Sequence, residues 1–327
     1  MIECLHKGFL SFRQIKAVIA AILLFQLGLS PATAQTTSSQ GIVECTSARL
    51  NKHNPDIAAN ADHMICFEGY VSNFNTAVAV TVNRRPRYWA TPHWVAQHIA
   101  RANTAPSQTT VRIPGSPCQT CNSGGSRLPT QAMRFPKRYR KQHSNWYERG
   151  HLAQKYLTER VSRDAAWFTH NVANAVPQRG QFNKATWLTL ECFTGAWANK
   201  YGEVWVMTGP IFKKGRVAWL RSDSNKRATP VAIPSSLFKI VLRNSNGHWE
   251  ALSFVMPQTH RTYRKGPFDP AVWFKSVAEI ERMTGERFFM NLGEAVLESK
   301  QQEPTQLWSA SEAHFDPGCK NQKTNIL

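Results

Sequence analysis

Residues 181–200 constrain the fold most. Phe182, Ala185, Leu190, Phe193, Ala196 and Trp197 recur mostly at three- and four-residue intervals. That is the period of a helix with a buried stripe, and Gly202 follows as a stop. Two polar residues ride in this otherwise core-like run. Asn183, Trp187 and Glu191 stand at i, i+4 and i+8. On a straight helix they drift about 80° around the axis, with Asn183 and Glu191 about 12 Å apart along it. Side chains tilt toward the helix N-terminus, so Glu191 leans back toward Asn183. At that separation the two do not easily share one ion. A direct Asn ligand fits better, with Glu191 gripping a water of the ion's shell. Oxygen donors of this kind suit Mg²⁺, or Mn²⁺ in its place, rather than zinc. Each residue also has a plainer reading: Asn183 as a helix cap, Glu191 as a solvated charge.

Upstream lies Glu148-Arg149-Gly150-His151. Histidine is the usual general base near neutral pH. An arginine two positions away offers a planar fork to phosphate oxygens. The glycine lets the backbone bring both toward one ligand. Between these stretches runs Asn174-Ala175-Val176-Pro177-Gln178.

The rest of the chain reads as strands mixed irregularly with helices, which favours an α+β fold over a wound parallel sheet. Residues 77–82 are β-prone, and 94–100 form a strand or a short helix. Residues 204–207 read as a buried strand. Residues 238–242 and 249–256 flank Asn244-Ser245-Asn246-Gly247, a hairpin signal. A helix is expected over 272–283, ending before Thr284-Gly285. Residues 103–130 are rich in Pro, Gly, Ser and Thr and read as a long loop insertion.

Lys7, Arg13 and Lys16 precede a short apolar run at 17–29, and Ala32-Thr33-Ala34 follows as a cleavage pattern. Residues 1–34 therefore read as a secretory signal, and the run is short for a spanning helix. The expected address is periplasmic or secreted, with no stable membrane association. Formal net charge is +19. Losing three cations and Glu3 with the signal lowers it by two, to +17, so the basicity belongs to the folded part. Such charge draws polyanions. Six cysteines remain: Cys45, Cys66, Cys118, Cys121, Cys192 and Cys319. In an exported chain they read as disulfides, with 15 pairings open.

Taken together, these motifs resemble the DNA/RNA non-specific endonucleases of the ββα-metal fold. That group holds the Serratia-type secreted nuclease and endonuclease G. Arg149-Gly150-His151 matches the family's D-R-G-H, and Asn174, Pro177 and Gln178 match N-x-x-P-Q. Asn183, Trp187, Leu190 and Glu191 match N-x-x-x-W-x-x-L-E. Residues 204–212 are similar to V-x-V-x-T-G-P-x-F, with further agreement at Ile233-Pro234, Phe238-Lys239, Thr284-Gly285 and Phe288-Phe289. The resemblance spans residues 67–291. It implies a mainly antiparallel central sheet flanked by helices. Residues 35–66 then read as a lead-in, and 292–327 as a tail tied by Cys319.

The resemblance also implies roles. His151 would be the general base, Asn183 the one protein ligand of Mg²⁺, and Arg149 the stabiliser of phosphate charge. Glu191 and Asn174 would orient metal waters and neighbouring groups, with Glu148 and Gln178 in support. Products would carry 5′-phosphates and 3′-hydroxyls. Three positions depart from the pattern: Glu148 stands for Asp, Gln154 for a proline, and Gln97-His98 where the family often has an arginine. His98, Arg84, Arg85 or Arg87 would have to replace that arginine. Lys137, Arg138, Arg140 and Lys141 surround Tyr139 and, with Arg84, Arg85 and Arg87, are the candidate phosphate contacts.

Three readings follow from the sequence. The first is an exported endonuclease acting on DNA and RNA. The second is a weak or inactive nucleic-acid-binding protein of the same fold. The last is a delivered toxin domain. The sequence is also compatible with a homodimer.

Overall fold

The structure, a computed structural model, describes residues 42–46, 49, 64–75, 77–82, 84–89, 91–102, 147–213, 215, 217–220, 231–258, 271–289, 292 and 294–319. Its centre is a seven-stranded antiparallel sheet in the order β1-β2-β3-β6-β9-β12-β13. These strands are β1 (Ile42–Val43), β2 (Met64–Phe67), β3 (Val71–Asn75), β6 (Thr91–Ala100), β9 (Glu203–Ile211), β12 (Ser236–Ser245) and β13 (His248–Pro257). Three two-stranded pieces join β4 (Val78–Val82) to β5 (Arg85–Tyr88), β7 (Tyr147–His151) to β8 (Ala175–Arg179), and β10 (Ala218–Leu220) to β11 (Val231–Ile233). Residues 94–100 thus resolve as strand. β1 and β2 already belong to the sheet, so the fold begins within the stretch read as a lead-in.

Alternation along β12 shows why the sheet has two filled faces. Leu237 and Val241 join a cluster with Phe67, Val95, Val206, Leu252, Trp187, Leu190 and Trp197. Phe238, Ile240 and Leu242 join Trp94, Met207, Val277, Ile280, Phe288 and Val296 on the other side. A period of two sends neighbours to opposite faces. Each fully buried aliphatic chain contributes about 2 kcal/mol over leaving it exposed. The first face is covered by α4 (Thr186–Tyr201), the second by α5 (Val277–Thr284) and α6 (Glu294–Gln301). The β12–β13 turn follows the sequence signal. Asn246 and Gly247 both take positive φ, 52° and 87°, as a two-residue hairpin with matching twist requires.

Two helices differ from expectation. The run 181–200 is broken. α3 (Gly180–Lys184) ends at Ala185, whose φ and ψ are −115° and −97°, and α4 starts afresh at Thr186. A straight helix would put Asn183 and Trp187 on one side. Here Asn183 bonds a neighbouring strand while Trp187 is wholly buried, and the break meets both demands. The second helix starts at Val277, not 272. Ser276 caps it by accepting from the Glu279 amide, and Phe274 is held as a bridge to Phe254.

Two disulfides close among the described residues, Cys45–Cys66 and Cys192–Cys319. The second ties residue 319 to α4. Cys118 and Cys121 lie outside the described residues.

Candidate active site

The chain leaves the sheet after β6 and returns at β9. The excursion carries β7, α1 (Lys155–Thr158), α2 (Arg163–Phe168), β8, α3 and α4. β7 and β8 pair antiparallel, with Glu148 opposite Gln178 and His151 opposite Ala175. α3 packs on both strands. Two strands, the 3-10 turn that leads into β8 and a helix therefore gather Glu148, Arg149, His151, Asn174, Gln178 and Asn183 into one module.

His151 ends β7 half-buried. Its Nε2 lies 3.1 Å from Nδ1 of His170, and the rings meet edge to face. Burial, then the neighbouring imidazole and the cations Arg149 and Lys155, hold the His151 pKa down to about 3. His170 is lowered too, by burial and then by Lys155 and Arg149. Both rings are therefore neutral at neutral pH, as a base must be before it takes a proton. Arg149 is exposed beside them.

Asn174 is fully buried and its side chain is engaged with backbone. Oδ1 accepts from the Ala153 amide at 2.7 Å, and Nδ2 donates to the carbonyls of Ala153 and Thr169, each at 2.9 Å. It stitches the turn after His151 to the turn before His170. Gln178 is also fully buried, and it lies over Gly150. A Cβ built on Gly150 would stand 2.0 Å from Gln178 Cδ. This glycine is needed for close approach, not for an unusual φ. Both side-chain polar atoms of Gln178 lack a hydrogen-bond partner among the described residues.

Glu148 gathers α3. Its Oε2 accepts from Asn183 Nδ2 at 3.0 Å, and its Oε1 accepts from Lys184. An ionised carboxylate only accepts, so the amide nitrogen of Asn183 must face it. The amide oxygen then points away, a neutral hard donor of the kind Mg²⁺ takes. The donor set therefore fits the ion expected from the motif.

Glu191 stands apart from that pair. It is buried beside Lys239, which reaches it from β12 on the face carrying Leu237 and Val241. Burial lifts the Glu191 pKa to about 7, opposed by Lys239 and by the nearby Trp187 indole. Burial likewise draws Lys239 down to about 8, opposed by Glu191. Lys239 Nζ also donates to Thr208 Oγ1 at 3.3 Å and sits 4.9 Å over the Trp187 ring. The solvated-charge reading of Glu191 is thereby corrected, because the inward strand position of Lys239 supplies a buried partner.

The departures sit as follows. Gln97 is buried and donates from Nε2 to Thr158 Oγ1 at 2.7 Å. His98 bonds Glu203 at 2.8 Å and stacks on Trp205. Both side chains are thus engaged with the scaffold. Gln154 is buried just before α1, its Oε1 unpartnered among the described residues. Arg84 is exposed in the β4–β5 turn with φ 60°. Arg85 and Arg87 lie on β5. Lys137, Arg138, Arg140 and Lys141 fall outside the described residues.

Sequence reasoning gave no role to His170 or Lys239. His170 is one of 11 histidines and carries no local signature. Lys239 did leave a signal: a lone lysine at an inward position of an apolar strand.

Comparison with known proteins identifies the family and the fold. Residues 63–295 match the family described as DNA/RNA non-specific endonuclease. The mitochondrial nuclease EXOG of Xenopus laevis is 26% identical over 216 residues, covering 62% of this chain and 54% of that protein. Mitochondrial endonuclease G of Bos taurus is 30% identical over 154 residues, covering 45% and 49%. A nuclease of the fungus Syncephalastrum racemosum is 28% identical over 189 residues, covering 54% and 55%. The chain spans about half the length of these curated relatives. A solved EndoG/EndoGI complex, described as showing the mechanism of EndoG inhibition, shares the fold. Its matching chain has a TM-score of 0.54 at 22% identity, covering 75% of this chain and 93% of that one. The fold is that of the ββα-metal nucleases, and the chain belongs to the DNA/RNA non-specific endonuclease family.

Proposed function

We propose that the protein is an exported endonuclease that hydrolyses phosphodiester bonds of DNA and RNA with little regard for base sequence. One observation carries the reading. The β7–β8 module sets a neutral imidazole, His151, beside an exposed guanidinium, Arg149, with Asn183 oriented by Glu148. A base, an anion stabiliser and an oxygen donor are the parts that phosphodiester hydrolysis needs.

His151 takes the proton of the attacking water. Arg149 faces the charge that grows on the phosphate oxygens. Asn183 would hold Mg²⁺, which when bound supplies Lewis-acid polarisation and charge for the leaving oxygen. Glu148 keeps the Asn183 oxygen turned outward, and Asn174 holds the backbone on which His151 stands. Glu191, buried against Lys239, supports α4 and the shell of the ion. Cleavage leaves a 5′-phosphate and a 3′-hydroxyl.

Net charge of +19 supports a polyanionic substrate, and Arg84, with Arg85 and Arg87, would meet its backbone. Export is supported by the signal-like start and by two disulfides, bonds that persist in oxidising compartments. Among the described residues no helix is long and apolar enough to cross a membrane.

The test mixes the mature, oxidised protein with supercoiled plasmid and with RNA in Mg²⁺, against EDTA, His151→Ala and Asn183→Ala. Degradation by wild type in Mg²⁺ alone is the expected result. A plasmid that is retarded on the gel yet intact would replace this reading with nucleic-acid binding without cleavage.

A further inference from the structure

His151 and His170 meet through ring nitrogens at the end of β7. Two ring nitrogens 3.1 Å apart need one proton between them, since two lone pairs repel and two N–H groups clash. With both rings neutral, only two arrangements exist. In one, His151 donates from Nε2 and its Nδ1 is bare. In the other, His170 donates, and the proton of neutral His151 sits on Nδ1. The second leaves no basic nitrogen on His151 for a water. We propose that His170 is a positioning residue: its Nδ1 accepts the Nε2–H of His151, fixing the tautomer in which His151 Nδ1 is the base. The inference rests on the reading of His151 as the base.

The surroundings are built for this. Asn174 donates to the carbonyl of Thr169, one residue before His170, and holds both backbone groups of Ala153, two residues after His151. One buried side chain thus sets the spacing of the two imidazoles. The His170 amide donates to Trp167 O at 3.2 Å, and the ring stands edge-on to Trp167. The cations facing the pair, Arg149 and Lys155, oppose protonation of His170 and so preserve its acceptor. In the reaction the water gives its proton to Nδ1 of His151 and its oxygen bonds to phosphorus. The P–O3′ bond breaks, and O3′ leaves with the electron pair and takes a proton from solvent. The imidazolium keeps its Nε2–H on His170 throughout. A second group that fixes the tautomer of a catalytic histidine is a general device.

The experiment uses the full mature, oxidised protein. Nitrogen-15 NMR of histidine-labelled wild type near pH 7 should show His151 neutral with its proton on Nε2. His170→Phe should lower kcat about 10- to 100-fold, with KM within about two-fold. His170→Asn, whose Oδ1 can stand where Nδ1 stood, should recover most of that loss. Finding the His151 proton on Nδ1 in wild type would overturn the proposal, whatever the variants do. So would equal kcat per folded molecule in the Phe and Asn variants. If His170→Phe does not fold, the wild-type spectrum and the Asn variant still decide. A wild type that cleaves nothing would sink the functional reading, while the spectrum would still report on the histidine pair.

Discussion

Glu148 controls which end of Asn183 faces the site. The carboxylate takes the amide nitrogen, so it sets the direction of the oxygen proposed to hold Mg²⁺. Glu148→Ala should weaken Mg²⁺ binding about 10- to 100-fold, read by calorimetry, while the mainly exposed Lys184 partner contributes at most about 1 kcal/mol to stability. The two imidazoles make a second prediction at this scale. Both have folded pKa values below the free value of 6.5, His151 at about 3. The unfolded chain binds protons there first, so this contribution is complete above pH 6.5 and is lost as pH falls toward 3. The urea midpoint should therefore drop across that window more steeply in wild type than in His151→Asn/His170→Asn. Equal slopes would show that neither ring is held neutral by the fold. The motifs that hold His151, Asn174 and Asn183 could be singled out in the sequence through their resemblance to the family's ordered motifs. His170 could not be, because its partner lies 19 residues away and only the fold brings them together.

At the scale of elements, the antiparallel β7–β8 pair depends on Gly150. Any side chain there meets Gln178, so Gly150→Ala should cost about 1–3 kcal/mol, the usual penalty for overpacking. Adding Gln178→Ala should return most of it, and a double-mutant cycle by chemical denaturation measures the coupling. Additive costs would mean that the glycine serves something other than this approach. Strands were easy to read where β-rich runs flank a turn signal, as at β12 and β13, and the Asn246-Gly247 turn announced itself. The Ala185 break was hidden. Periodicity continued through it, because Trp187 and Leu190 kept the core pattern while Asn183 and Lys184 answered to Glu148. The α5 start was misplaced for a related reason: Ser276 is a strong cap, but Val272 and Phe274 extend the apolar pattern upstream of it.

For the whole molecule, the ordered motifs announced the family, and most of them fall in the excursion between β6 and β9. The start of the fold was harder to read. β1 and β2 extend one side of the sheet with short strands whose sequences carry little alternation. The Cys192–Cys319 bond could not be read from spacing, because pairing depends on where the chain ends meet. Replacing both cysteines by alanine should lower stability by about 2–5 kcal/mol, measured by urea titration of the oxidised proteins. A change below 1 kcal/mol would show the tail to be held by Arg160–Asp316 and Phe193–Phe315 contacts instead.

That bond also decides how the molecule would carry a load. It links positions 127 apart, and β9 through β13, α5 and α6 all lie inside the loop it closes. Tension entering at residue 319 passes across the sulfur bridge straight to α4, beside Glu191. The intervening strands are slack members of the circuit, shielded while the sulfur bridge holds.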